Sequence, residues 1–366
     1  MMKAKKKKIA FCITCMNRLE YIRQTLLKNI TDNFLPDDVE FVLLDYNSTD
    51  GLEDWVKTLN EYIDSGMLVY YRTNEPGSYY RSHSRNMAFG LSDAEIVCNL
   101  DADNFLGKGF ALDAINKFEK DKNIFYTSDY HAPNVAGRMC VRMEHFLKVR
   151  GYNELFTGWG SEDIELVARL KDIGLKQIRF NNPEYYNAIS HSHEDRISQE
   201  PISLQLHEFY ISYTTPYKSE LLLLYKDSTC ESCYLVNNKL RYYNTPNEEI
   251  EIDDWLSKEV GMNYILIEGD LKKGKWKETD CGVETKFGKE LRQLNKKDKE
   301  ITDGHTAYYP IANRELRSLI LVMYSNAVNS KKILEYRALG MDVNSDGFGR
   351  GIVYRNFDYN NAIALE

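Results

Sequence analysis

The 366-residue chain has no apolar run of membrane-spanning length, which argues against a spanning helix. It has no Gly-X-Gly-X-X-Gly after its first predicted strand, so a dinucleotide-type Rossmann site is disfavoured. It has no Gly-X-X-X-X-Gly-Lys-Ser/Thr, which sets a P-loop phosphotransferase aside. The turn Thr14–Arg18 is not the Gly-rich basic loop that a sugar-nucleotide pyrophosphorylase needs for a triphosphate. There is no excess of positive charge either. A formal net charge of −8 argues against general nucleic-acid binding. The one basic block, Lys3 to Lys8, reads as a disordered, solvated terminus (residues 1–8) with at most weak attraction to an anionic membrane surface. The apolar run after it is too short for a signal sequence, and the expected location is cytoplasmic, at most at the inner face of the membrane. Cysteine is sparse. Seven scattered thiols, an odd number, fit reduced cysteines. Cys12/Cys15 and Cys230/Cys233 have zinc-type spacing, but Cys12 falls in a predicted strand and the pairs are far apart, which speaks against zinc.

What is present is a regular alternation. Apolar strand-like runs at Ile9–Thr14, Glu40–Asp45, Met67–Arg72 and Glu95–Leu100 alternate with helical patterns at Glu20–Asn29, Leu52–Leu59 and Ser82–Leu91. This pattern predicts an α/β domain with a mostly parallel sheet and right-handed crossovers. Its polar turns, Thr14–Arg18, Asp45–Asp50 and Asp101–Asn104, then share the C-terminal edge of the sheet, where ligands bind in such folds. A nucleotide fits such an edge. Asp45 can accept from a base N–H, and Arg18, Arg81 and Arg85 can face a ribose or phosphate.

Three clusters carry chemistry. Asp101-Ala102-Asp103 places two carboxylates at a strand end, suited to a hard cation that keeps phosphate oxygens as further ligands. Alone the pair also fits a solvated turn. Gly158-Trp159-Gly160-Ser161-Glu162-Asp163 precedes a helix capped by Ser161, with Ile164, Val167, Leu170 and Ile173 as its apolar face and Gly174 as its stop. First-turn acids also suit the helix dipole. The two glycines, however, permit an exposed, mobile indole on which sugar rings can pack, beside a carboxylate able to take a hydroxyl proton. His191-Ser192-His193 offers two imidazoles in a polar loop, one of which can complete a coordination shell begun by Asp101 and Asp103.

In this order the motifs resemble GT-A glycosyltransferases of the broad family 2 type over about residues 8–200. Gly-Trp-Gly-X-Glu-Asp is similar to the motif of β-1,4-galactosyltransferases and the chondroitin-polymerase class. The resemblance implies a nucleotide-diphospho-sugar transferase fold over residues 9–205. Thr14, Asn17, Arg18, Asp45, Arg81 and Asp101 would contact the donor nucleotide. Asp101, Asp103 and His191, with His193 as the alternative, would bind Mn²⁺ or Mg²⁺. Asp163 would be the catalytic base, and Glu162 and Trp159 would bind the acceptor. The implied activity is inverting transfer of a hexose or N-acetylhexosamine from a UDP-sugar to a saccharide hydroxyl, in surface polysaccharide or glycoconjugate synthesis. The competing reading is an inactive nucleotide-sugar or carbohydrate-binding protein, which the intact set Asp101, Asp103, Asp163 and His191 disfavours.

The resemblance does not reach residues 206–366. Strand-like runs at Glu220–Tyr225, Tyr234–Tyr243 and Tyr264–Ile267, a lysine-rich stretch at Leu271–Lys277 and a long helical pattern over Asn313–Leu339 predict a smaller α+β domain. There is no internal repeat.

Overall fold

The computed structural model describes residues 6–129, 134–215, 218–236, 266–297, 300–303, 306–311 and 313–366. They form two compact units. The first draws its described residues from 6–156, 161–191 and 336–366, and the second from 157–160 and 192–335.

The first unit runs β1 (Ile9–Cys15), α1 (Leu19–Asp32), β2 (Val39–Tyr46), α2 (Leu52–Val56), α3 (Asn60–Asp64), β3 (Leu68–Thr73), α4 (Arg81–Gly90), β4 (Ile96–Asn99), α5 (Phe110–Lys120), β5 (Ile124–Thr127), β6 (Met139–Arg142), α6 (Met143–Lys148), α7 (Glu162–Asp172) and β7 (Lys176–Arg179). Strands β3, β2, β1 and β4 are parallel neighbours, as the alternation predicts. They are buried on both faces, hence their continuous apolar runs. One face packs Phe11, Phe41 and Leu43 against α1 and α5. The other packs Ala10, Val42 and Leu44 against α4 and α7. Beyond β4 the sheet is mixed: β6 is antiparallel to both β4 and β5, and β7 is parallel to β5.

The expected boundary at residue 206 is corrected at the far end of the chain. Strand Gly351–Arg355 returns to the first unit antiparallel to β3, and Ala362–Leu365 pairs antiparallel to it as the new edge of the sheet. Asn356 caps this return: its side chain accepts from Tyr70 N at 2.9 Å and its N–H donates to Tyr70 O at 2.8 Å. The segment 206–366 is therefore not one contiguous domain.

The second unit is a closed barrel of eight strands: Leu206–Thr215, Lys218–Tyr225, Thr229–Val236, Leu266–Thr279, Gly282–Phe287, Glu290–Lys297, Glu300–Asp303 and Thr306–Pro310. Every neighbouring pair is antiparallel and the spatial order follows the chain, so closure removes the exposed sheet edges. Alternation divides its apolar residues. Tyr210, Leu222, Leu224, Val283, Leu294 and Tyr308 form one cluster. Phe209, Ile211, Leu221, Leu223 and Leu235 pack on the long helix Arg314–Leu339 through Leu319, Ile320 and Met323. Within the described residues the α+β expectation thus becomes a barrel with a helix. Residues 237–265, including most of the predicted strand Tyr234–Tyr243 and the start of Tyr264–Ile267, lie outside the described residues.

Strand geometry also decides the cysteine pairs. Residues three apart in a strand point to opposite faces. Cys12 and Cys15 accordingly sit in the two different cores of the first unit, and Cys230 and Cys233 in the two different clusters of the second. Neither pair can grip one ion.

Candidate active site

The end of β4 sends its two carboxylates to different partners. Asp101 Oδ1 accepts from Arg85 Nη2 at 3.2 Å and from Asn99 Nδ2 at 3.1 Å. Asp103 Oδ2 lies 2.8 Å from His191 Nε2. Asn104 orients the other Asp103 oxygen, donating to Oδ1 at 2.7 Å, while Arg138 holds Asn104 Oδ1 at 2.9 Å. The His191 side chain is nearly enclosed, and the Tyr21 ring stands edge-on 5.9 Å away.

Arg85, on α4, is buried among three carboxylates. Its Nη1 donates to Asp163 Oδ1 at 2.9 Å and to Glu162 Oε1 at 3.3 Å, while Nη2 serves Asp101. Arg81, one helical turn earlier, lies 3.6 Å from Glu162. Thus Arg85, which the sequence aims at a ribose or phosphate, faces protein acids instead. Glu162 and Asp163 come from the first turn of α7. Ser161 before them adopts φ +74°, the left-handed region rather than the extended backbone usual for a hydroxyl cap. The inward face of α7 also differs from expectation: Glu162, Glu165, Leu166 and Leu170 are buried, whereas Ile164 is 43% exposed. Glu165 is tolerated there because Arg169 pairs with both its oxygens, at 2.7 and 2.6 Å.

The electrostatics follow from this crowding. Burial raises the Asp163 carboxyl most, Arg85 pulls it back, and Glu162 and Asp101 add to the rise, leaving it pushed up to about 7. Its side chain keeps 27% of its surface open, so solvent and ligands can reach it. For Asp101 the burial effect is overcome by Arg85, Arg81 and Asn99, and its carboxyl is held below the ordinary range. Two acids on one guanidinium are thereby pushed apart, one firmly ionised and one able to exchange a proton near neutrality.

The predicted nucleotide turns are laced together. Asn17 Oδ1 accepts from Thr49 N at 2.7 Å, Asn17 N donates to Ser48 Oγ at 3.1 Å, and Asp50 accepts from Leu19 N at 2.7 Å. Thr14 Oγ1 and Tyr79 Oη are 2.6 Å apart, the Arg81 guanidinium lies 5.4 Å from the Tyr79 ring centre, and Arg18 stacks on Tyr21 at 5.3 Å. Asp45 departs from its expected part as a base acceptor. It is 0% exposed, and it accepts from Tyr70 Oη at 2.7 Å, Arg72 Nη1 at 2.6 Å and Ser48 N at 2.7 Å. It anchors the turn from within.

Trp159 belongs to the second unit and is half-buried on the apolar cluster there, with the Arg196 guanidinium 5.4 Å from its ring centre. The indole expected to be exposed is therefore half-buried. Its flanking glycines have φ +74° and +100°, and a Cβ at either would come within 2.5 Å of Ser325 Oγ or Asn326 Oδ1. Asn329 further ties the loop by donating to Thr157 O at 3.2 Å and Gly160 O at 2.9 Å. Close seating on the helix explains Gly-X-Gly here. His193 also groups with the second unit, where its N–H donates to Glu315 at 2.8 Å.

The residues from Asn123 to His193 match a sequence family. It is described as the N-terminal domain of galactosyltransferase, and residues 123–193 match it. That span holds Trp159, Glu162, Asp163 and His191 and excludes Asp101 and Asp103. Among curated proteins the chain is similar to β-1,4-galactosyltransferase 7 of Drosophila melanogaster, 43% identical over 54 residues, or 14% of this chain and 17% of that protein. The chain thus matches less than a fifth of this curated relative's length. Among solved structures it is similar to the mannosyltransferase PcManGT of Pyrobaculum calidifontis in complex with GDP-Man and Mn²⁺, at 17% identity and a TM-score of 0.45, covering 52% of this chain and 60% of that one. It is also similar to the Drosophila β-1,4-galactosyltransferase 7 complex with manganese, UDP-Gal and xylobiose, at 16% identity and a TM-score of 0.36, covering 53% and 75%.

Two site residues escape a reading of the sequence. Gly137 brings backbone against the acids: a Cβ there would stand 3.0 Å from Asp163 Oδ2 and 3.1 Å from Arg85 Nη2. Asn99 ties that backbone to Asp101, donating to Gly137 O at 3.1 Å. Only the three-dimensional approach gives Gly137 its meaning. Among the described residues no group of three or more His, Cys, Asp and Glu forms a cage for a metal. Of the expected ligands, Asp103 and His191 stand together.

Proposed function

We propose that the chain is an inverting, metal-dependent GT-A glycosyltransferase that moves a hexose or N-acetylhexosamine from a UDP-sugar to a saccharide hydroxyl, in polysaccharide or glycoconjugate synthesis. The observation that carries this reading is the divided use of one strand end. Asp103 is turned to an imidazole, and Asp101 shares a buried guanidinium with an acid pushed up to about 7.

Asp103 and His191 fit a divalent cation. Ligand atoms at about 2.1 Å in adjacent octahedral positions are about 3 Å apart, and this oxygen and nitrogen are 2.8 Å apart. Such an ion, Mn²⁺ or Mg²⁺, supplies positive charge against the charge that develops on the departing diphosphate. Asn104 and Arg138 hold the carboxylate in the orientation this requires. Asp101 keeps one oxygen for the donor, and Thr14, Asn17, Arg18 and Arg81 contribute the nucleotide side of the site. Asp45 supports that side from beneath.

Asp163 takes the proton from the acceptor hydroxyl as the oxygen attacks the anomeric carbon opposite the leaving UDP. A base whose carboxyl is pushed up to about 7 is matched to this task, since a substantial fraction, about half, is ionised at neutral pH and it is basic enough to accept the proton. Glu162 orients the acceptor, and Trp159 contributes to acceptor binding from its half-buried seat.

The test is a screen of α-linked UDP-hexoses and UDP-N-acetylhexosamines with Mn²⁺ and saccharide acceptors, with NMR of the product. A β-linked product is expected. An α-linked product would overturn the inverting assignment, and the absence of transfer from every donor would overturn the activity.

A further inference from the structure

We propose that Arg85 is a positioning residue that holds the proposed base and the donor-side carboxylate in one frame, so that proton removal is aligned with donor departure. The inference rests on the transferase reading above. Arg85 has no open surface for substrate: its side chain is 2% exposed and its terminal nitrogens are committed to Asp101, Asp163 and Glu162. One planar fork thus links β4 to the first turn of α7, elements that are far apart in the chain. Asp101 and Asp163 are taken by different nitrogens of the fork. A lysine, with a single nitrogen, cannot reproduce that geometry.

The frame is itself held. The Arg85 guanidinium lies 5.3 Å from the Tyr152 ring centre. The next residue on α4, Asn86, clamps the backbone of Tyr152: its Nδ2 donates to Tyr152 O at 2.9 Å and its Oδ1 accepts from Tyr152 N at 2.8 Å. Glu154 extends the clamp to the end of the chain, accepting from Asn86 Nδ2 at 2.8 Å and from Gly349 N at 2.7 Å. On the other side the Gly137 backbone closes over Asp163 and Arg85. Arg85 cannot swing away without breaking one of these walls. A carboxylate that must meet a hydroxyl proton loses rate steeply when it is misplaced.

The experiment uses Arg85→Lys, Arg85→Gln, Asp163→Asn and the Arg85→Gln/Asp163→Asn double variant, with UDP binding in Mn²⁺, kcat and KM, and thermal melts for each. Arg85→Lys is expected to lower kcat about 10- to 100-fold and Arg85→Gln about 100- to 1,000-fold, with UDP affinity within about threefold of wild type. The double variant should lose much less than the product of the two single losses, because a misplaced base that is already absent costs nothing more and only the hold on Asp101 remains to be lost. Wild-type kcat in Arg85→Lys, or losses that multiply in the double variant, would overturn the assignment. If Arg85→Gln does not fold, the kcat of Arg85→Lys decides alone. Absence of UDP release from the wild-type protein with any donor would instead bring down the transferase reading and this inference with it, an outcome distinct from an active wild type with an indifferent Arg85.

Discussion

His191 Nε2 and Asp103 Oδ2 stand 2.8 Å apart, although one residue follows the edge strand β7 and the other follows β4. Such an approach of an imidazole and a carboxylate, with the second carboxylate oxygen pinned by Asn104, is the geometry on which the proposed metal site rests. Removal of divalent cations with a chelator is expected to stop UDP release, and Mn²⁺ should restore it. His191→Ala should weaken Mn²⁺ binding by at least about 10- to 100-fold, the range that loss of an orienting partner alone can cost. Unchanged Mn²⁺ affinity in that variant, read by titration calorimetry, would remove His191 from the site.

Asp163 gives the pH dependence. Its carboxyl is pushed up to about 7, and in the proposed reaction the ionised form is the base. Activity should therefore rise with pH through about 7 and level off above it. Stability has the opposite sign. A folded-state value above the ordinary carboxylate range means that the folded chain holds a proton which the unfolded chain has released. This residue's contribution then falls as pH rises from about 4 to about 7. The stability difference between Asp163→Asn and wild type should shift in favour of the variant across that window, as followed by thermal melts.

Gly137 tests how tightly the acids are packed. A methyl group would sit 3.0 Å from Asp163 Oδ2 and 3.1 Å from Arg85 Nη2. Gly137→Ala should lower kcat by about 10-fold or more through displacement of the base, while UDP affinity is retained. Wild-type kcat would show that this wall does not constrain Asp163.

Gly158 and Gly160 carry a stability prediction rather than a gating one. Both have left-handed backbones seated against Ser325 and Asn326. Alanine at either position should cost about 1–3 kcal/mol, visible as a lower Tm. An unchanged Tm in both variants would restore a mobile loop as the reason for these glycines.

Asp45 is a second structural prediction. Its buried carboxylate holds Tyr70, Arg72 and Ser48. Asp45→Ala should destabilise the fold by about 1–3 kcal/mol, because the buried Tyr70 Oη and Ser48 N lose their acceptor while Arg72 keeps Glu53 at 3.5 Å. Denaturant unfolding measures this. A loss of nucleotide affinity without loss of stability would return Asp45 to the role of base contact.

The sequence carries the parts of this molecule that are local. Continuous apolar runs mark β1 to β4, and the polar turns after them define one sheet edge. Asp101-Ala102-Asp103 and Glu162-Asp163 stand out as acids at element ends. What it hides is non-local. Nothing in the neighbourhood of Arg85 says that its partners come from Asp101 and from α7, because pairing across such distances depends on the completed fold. The return of Gly351–Arg355 to β3 is hidden for the same reason. Glu165 illustrates a different obstacle. A carboxylate on the buried face of α7 violates the apolar pattern, and only its bidentate partner Arg169 makes the helix register intelligible. Glycines flanking Trp159 are compatible with either mobility or close packing, and the helix against which they seat begins more than a hundred residues later.

The most direct test of the central claim is UDP release in Mn²⁺, with and without a saccharide acceptor, for wild type and Asp163→Asn. Acceptor-dependent release by the wild type is expected. A fall of about 100- to 10,000-fold is expected in the variant, with UDP binding intact. Wild-type turnover by Asp163→Asn would contradict the central claim.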